Sequence, residues 1–179
     1  MLYITLLSAI SFSPPTKPLT TTFQYQGDLP PLQYFDPLNV NSQSTFDEGR
    51  AKWMREAELQ HGRLAMLAAI ALPTSEMMNP DTLAINYLSS MESSMQSPFW
   101  AGMFVYEFLR MGIGWNNPFE RDAKSFTLKD AYQPGNLLAF QPDNITKAMY
   151  DRELSNGRLA MLACAHIIGS ELFTGQGLF

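Results

Sequence analysis

Glu58, His61 and Arg63 put a carboxylate, an imidazole and a guanidinium within six residues; Glu153, Asn156 and Arg158 repeat the arrangement with an amide replacing the imidazole. Such groups suit two tasks: ion pairing, and ligation of a hard metal centre, which favours oxygen donors and also accepts a neutral imidazole. The two groups belong to one motif written twice. ELQHGRLAMLA at 58–68 returns 95 residues later as ELSNGRLAMLA at 153–163, with nine of eleven positions identical. The interval is too wide for a solenoid, whose units stack at about 20–50 residues. Catalytic signatures are missing from the sequence: it has no glycine-rich phosphate loop, no Cys/His zinc spacing and no serine-nucleophile elbow. No enzyme is expected.

The motif must sit on helices, because each copy runs straight into an Ala- and Leu-rich stretch. At about 100° per residue with Glu58 at zero, His61 falls at roughly −60°, Gly62 at roughly 40°, Ala65 at roughly −20°, Ala69 at roughly 20° and Arg63 at roughly 140°. An intrahelical Glu58–Arg63 pair is poor, since residues that meet are three or four apart. Two helices crossing about a pseudo-twofold axis solve the problem, with Glu58 meeting Arg158 and Glu153 meeting Arg63. The small residues Gly62, Ala65, Ala69 and Gly157, Ala160, Cys164 let the helices approach closely.

The composition is compatible with one domain: 179 residues, 46% hydrophobic, 16% charged. A net charge of −5 argues against a nucleic-acid surface. Residues 1–12 are an apolar run without a preceding positive charge, readable as a shortened signal core, a plastid-entry boundary around Phe12 or a bare apolar terminus. The rest of 1–45 is rich in Pro, Thr, Gln and Asn and reads as an extended segment. Residues 46–179 form a single domain with helices expected over about 47–72, 98–115 and 144–173. Thr45, Asp47 and Glu48 supply the first N-terminus, Pro73 ends that helix, and Asn144 or Thr146 caps the third. A short helix is expected around 83–95. Glycines at 175 and 177 close the third helix. On the middle helix Glu107 and Arg110 share a face and can pair, and Trp100 and Trp115 bracket it as interfacial aromatics would. The lead-in is also echoed: Tyr25 to Pro37 carries YQGDL and FDP, and YQPGNL and FQP stand at 132–142.

At the duplicated block the chain resembles the chlorophyll-binding light-harvesting antenna family, whose first and third membrane helices carry E-x-x-[H/N]-x-R before an Ala-rich run. Phe35-Asp36-Pro37-Leu38 is similar to the family's pre-helix motif, Pro73-Thr74-Ser75-Glu76 to its first-helix exit, and Thr174-Gly175-Gln176-Gly177 to its third-helix ending. The resemblance covers most of 30–177. It implies an all-α membrane protein with three transmembrane helices, the first and third related by pseudo-twofold symmetry and crossing through Glu–Arg pairs. It also implies that Glu58, His61, Glu107, Glu153 and Asn156 ligate chlorophyll magnesium while Arg63, Arg158 and Arg110 pair with the carboxylates. For Glu107 the alternative is a plain salt bridge.

The chain departs from the family near its end. Fourteen residues after Asn156, where a glutamine ligand is common, stands Ser170; His166, one turn earlier, shares its face. The histidine either takes over that magnesium or is hydrogen-bonded to a carbonyl or a neighbour. Only Leu178 and Phe179 follow Gly177, so the amphipathic fourth helix of green-plant antennae is not expected, which points to the red lineage. The implied cofactors are chlorophyll a, chlorophyll c and a fucoxanthin-like or related xanthophyll. The implied partners are the core subunits of photosystem I or II, neighbouring antenna proteins and thylakoid lipids, and the implied location is the plastid thylakoid membrane. Two alternatives are a photoprotective stress-type member of the family and, from another class, a helical-bundle interaction protein without pigment.

Overall fold

The computed structural model describes residues 27–30, 35–37, 48–117, 119, 127–136 and 146–178. The readings made for 1–12, Tyr25, Leu38, Thr45, Asp47, 137–142 and Asn144 lie outside them. Among the described residues there are four helices and no strand: α1 (Glu48–Met78), α2 (Ala84–Ser90), α3 (Ser93–Gly114) and α4 (Lys147–Thr174). An isolated antiparallel bridge joins Trp115 to Leu128.

Several boundaries differ from those the sequence suggested, each for a local reason. Pro73 lies inside α1 and does not end it. Thr74 and Ser75 behind it turn their hydroxyls back onto the helix, Thr74 Oγ1 donating to the Ile70 carbonyl and Ser75 Oγ to that of Leu72, both at 2.7 Å. The middle helix begins at Ser93, five residues before Pro98, which α3 accommodates in its exposed early turns. A corner at Met91 and Glu92 separates it from α2, held by Gln96 Nε2 donating to the Met91 carbonyl at 2.7 Å. Thr146 occupies the N-cap position of α4, but its side chain makes no capping bond. Gly175 closes α4 in the left-handed region (φ 66°), its N–H donating to the Glu171 carbonyl at 2.9 Å.

The helices pack by small residues. α1 crosses α4, and the contact surface is mirrored by the duplication: Leu59 and Leu154 are buried with Ala51, while Ala65, Ala160 and Cys164 form a second cluster. Between the clusters Gly62 meets Gly157, so closely that a Cβ built on either would lie 3.1 Å from the other's Cα. Gly157→Val is therefore expected to push the helices apart, costing about 1–3 kcal/mol and lowering the midpoint of thermal denaturation followed by helical circular dichroism. α2 packs against both α1 and α4.

α3 is tied to α1 through polar side chains one turn apart: Tyr106 Oη donates to Gln60 Oε1 at 2.8 Å and Arg110 Nη1 to Glu56 Oε1 at 3.2 Å. The 127–136 segment locks the far end of α3. Lys129 Nζ donates to the Gly112 and Ile113 carbonyls at 2.9 and 3.1 Å, satisfying the open helix end.

Among the described residues, no helix is long and apolar enough to cross a membrane. Glu58, His61 and Arg63 interrupt the apolar run of α1, and Glu107 and Arg110 interrupt that of α3. The three expected spans are thus not legible in hydropathy.

Candidate functional site

The crossing of α1 and α4 brings the two copies of the motif together. Arg63 Nε donates to Glu153 Oε1 and Arg158 Nε to Glu58 Oε1, both at 2.7 Å. The pairs are reciprocal, as a twofold crossing requires, and flank the Gly62–Gly157 contact. The Glu58 and Glu153 side chains remain 26% and 28% exposed. Each carboxylate has about four lone-pair sites, so an arginine neutralises the charge without using every donor orbital. The copies differ in one respect. Glu58 Oε2 also accepts from Arg55 Nη1 on its own helix, whereas the position matching Arg55 in the second copy is Tyr150.

His61 stands at the surface with Nδ1 2.7 Å from the Ala57 carbonyl oxygen. A carbonyl can only accept, so Nδ1 carries the proton and Nε2 keeps its lone pair, the arrangement by which a protein orients an imidazole ligand. Asn156, its counterpart, is exposed and makes no hydrogen bond. Glu107 gives one oxygen, Oε2, to Arg110 Nε (3.0 Å) and Nη2 (2.7 Å), leaving Oε1 unpartnered on a side chain 45% exposed. His166 is exposed and makes no hydrogen bond. The pairs Glu58–Arg158, Glu153–Arg63 and Glu107–Arg110 are therefore assembled, while His61, Asn156 and His166 stand singly.

Among the described residues no three His, Cys, Asp or Glu side chains gather into a bare ion's ligand set. Single outward donors suit a metal that brings its other ligands with it. The surroundings fit such a guest, because the helices are inside out by the standards of a water-soluble bundle. Glu56, Glu76 and Glu171 are buried, whereas Leu67, Ile70, Phe104, Phe108 and Leu162 are each about 70% exposed.

Three buried carboxylates escaped the sequence reading. Glu56, 2% exposed, is the hub that docks α3 and the 127–136 segment onto α1. Its Oε1 accepts from Gln60 Nε2 (2.9 Å) and Arg110, and its Oε2 from the Gly135 N–H (2.7 Å) and Tyr132 Oη (3.2 Å). Burial and then the Glu56 charge raise the Tyr132 hydroxyl above its ordinary range, so it stays protonated and keeps donating. The four-residue interval from Glu56 to Gln60 was the available signal.

Glu76 and Glu171 are 4% and 1% exposed. Glu76 on α1 accepts from the Leu178 N–H at 2.7 Å, beyond the end of α4. Glu171 on α4 accepts from the Ile85 N–H at 3.1 Å, in the helix that follows α1. Each holds the segment leaving the other's helix. The signal here was the repeat itself, since Ser75-Glu76 and Ser170-Glu171 continue it at the same offset of 95.

Comparison with known proteins places this geometry. Residues 20–172 match the family model described as Chlorophyll A-B binding protein. Light-harvesting complex stress-related protein 3.2, chloroplastic, of Chlamydomonas reinhardtii is 32% identical over a match covering 88% of this chain and 68% of the relative. A fucoxanthin-chlorophyll a-c binding protein, chloroplastic, of Isochrysis galbana is 34% identical, covering 69% of this chain and 65% of its own. Chlorophyll a-b binding protein 3, chloroplastic, of Pisum sativum is 28% identical, covering 84% and 66%. With crossed Glu–Arg pairs at the duplicated motif and a family match over most of its length, the chain belongs to the chlorophyll a/b-binding family of light-harvesting proteins.

Proposed function

We propose that the protein is an integral thylakoid antenna that holds chlorophylls and carotenoids at fixed positions and passes excitation to a photosystem core. α1, α3 and α4 would cross the membrane. Glu58, Glu153, His61, Asn156 and Glu107 would ligate magnesium, with Arg158, Arg63 and Arg110 neutralising the carboxylates. Bound chlorophyll supplies light absorption; the chain's own part is to position it and to keep charge compensated in hydrocarbon. By likeness to the fucoxanthin-chlorophyll relatives, the pigments would be chlorophyll a, chlorophyll c and a fucoxanthin-like xanthophyll. Neighbouring antenna proteins and thylakoid lipids would surround it.

The observation that carries this reading is the inside-out packing: charges are paired within the bundle while large apolar side chains cover its outside. Such a surface is stable against lipid and pigment and unfavourable against water. Purified in detergent, the protein is expected to show a chlorophyll absorption band in the red. A colourless protein that stays dispersed without detergent would end the reading.

His61→Leu, Asn156→Leu and Glu107→Leu are each expected to yield a protein that reconstitutes with fewer chlorophylls. Glu107→Leu should leave the fold intact, because Arg110 keeps Glu56. Pigment stoichiometry unchanged in all three would count against these residues as ligands.

A second reading, a photoprotective stress-type member, is favoured by the match to the Chlamydomonas stress-related protein over 88% of the chain. Fluorescence lifetime of the purified pigment–protein separates the two: long for an antenna, shortened for a dissipative protein.

A further inference from the structure

Along α4 almost every polar side chain from Glu153 onward makes at least one bond within the protein. Glu153 and Arg158 are in the crossed pairs. Ser155, Ser170 and Thr174 donate their hydroxyls to the Asp151, Ile167 and Ser170 carbonyls at 2.7–2.8 Å. Cys164 donates to the Ala65 carbonyl, and Glu171 accepts from Ile85. Only Asn156 and His166 make no hydrogen bond at all, and both are exposed. On a surface otherwise built for apolar contact, a polar group left without a partner costs free energy unless something other than the protein supplies one.

For Asn156 the duplicated motif already provides a role. His166 has no such counterpart: the matching position on α1 is Ala71. By helical phase it lies about 160° from Cys164, whose Sγ faces α1, so the imidazole points away from the crossing. Within about 60° of it stand Leu159, Leu162, Gly169 and Phe173. The leucines are 68% and 71% exposed, Phe173 is 94% exposed, and a Cβ added at Gly169 would meet nothing within 4 Å. The result is an open apolar platform with a single nitrogen donor at its centre.

Ser170, one turn on, is the weaker donor. Its hydroxyl is turned back onto the Ile167 carbonyl at 2.8 Å, and it is shorter than an imidazole.

We propose that His166 is the axial ligand of a further magnesium macrocycle, a chlorophyll lying against this face of α4. The inference rests on the pigment-binding reading above. The imidazole would supply a nitrogen ligand to the chlorophyll magnesium, and Leu159, Leu162 and Phe173 would lie against its apolar ring.

The test is reconstitution of the full chain in detergent with chlorophyll a and total carotenoids, counting chlorophylls per chain after extraction and recording the red absorption band. His166→Phe and His166→Ala are each expected to lose one chlorophyll and one component of that band. His166→Gln, which offers an amide oxygen in place of the ring nitrogen, is expected to keep both, as is Ser170→Ala. Helical circular dichroism of the four variants, equal to that of the wild type, shows that folding is retained; should the Phe variant fail to fold, the Ala variant decides. Equal pigment count and spectrum in wild type and the folded His166 variants would overturn the proposal and leave the broader reading standing. Loss in Ser170→Ala with retention in His166→Ala would overturn it in favour of the serine. A wild-type chain that takes up no chlorophyll would sink the pigment reading, and this inference with it.

Discussion

Arg63→Leu is expected to destabilise the protein by about 3–5 kcal/mol, the range for removing one partner of a buried ion pair. The substitution takes from Glu153 the guanidinium whose Nε donates to its carboxylate at 2.7 Å. In the proposed setting the exposed quarter of that side chain meets hydrocarbon and not water, so solvent cannot replace the guanidinium. Glu153→Leu on top of Arg63→Leu removes the carboxylate that lost its guanidinium, and the double variant is expected to recover most of the stability while losing the pigment held at Glu153. Thermal denaturation in detergent, followed by helical circular dichroism, reads the first effect, and chlorophyll stoichiometry reads the second. A double variant no more stable than Arg63→Leu would show that the pair does not act as described.

The second large effect is expected at Glu56. Glu56→Leu deprives Arg110, Gln60, Tyr132 and the Gly135 N–H of their shared acceptor. Arg110 keeps its two bonds to Glu107, so the cost falls mainly on the neutral donors, each of which left buried without a partner costs about 1–3 kcal/mol. Because α3 meets α1 through this side chain and the Tyr106–Gln60 bond, the expected outcome is undocking of α3. Protease accessibility of the 127–136 segment should rise while the α1–α4 pair stays folded. Glu56→Gln should be milder, since an amide oxygen still accepts from Tyr132 and Gly135 and Arg110 retains Glu107. If Glu56→Leu leaves both thermal stability and cleavage unchanged, the hub has been misassigned.

These two sites show what the sequence could and could not disclose. The Arg63–Glu153 and Arg158–Glu58 pairs were legible because the duplication presented a carboxylate and an arginine twice, at a spacing that rules out pairing within one helix. The small-residue seam was legible for the same reason, as Gly62 and Gly157 fall at matching positions. Glu56 was hidden by its neighbour: two residues before Glu58, it looks like one more solvated charge, and its partners come from α3 and a segment without regular structure. The long-range burial of Glu76 and Glu171 was hidden similarly, although their shared offset was in view. Pro73 misled because a proline's lost donor argues for a helix end, whereas α1 runs on through it to Met78.

The crossed pairing also sets an order of events during synthesis. Glu58 and Arg158 are 100 residues apart, and Arg63 and Glu153 are 90 apart. At a synthesis rate of roughly 5–20 residues per second, α1 has emerged for roughly 5–20 seconds before the ribosome delivers the other half of its charge complement. Through that interval Glu58 can lean on Arg55 of its own helix, but Arg63 has no Glu153 to meet. A nascent chain halted between the copies is thus chemically distinguishable from a finished one, because neither crossed pair can close until the second copy has been made.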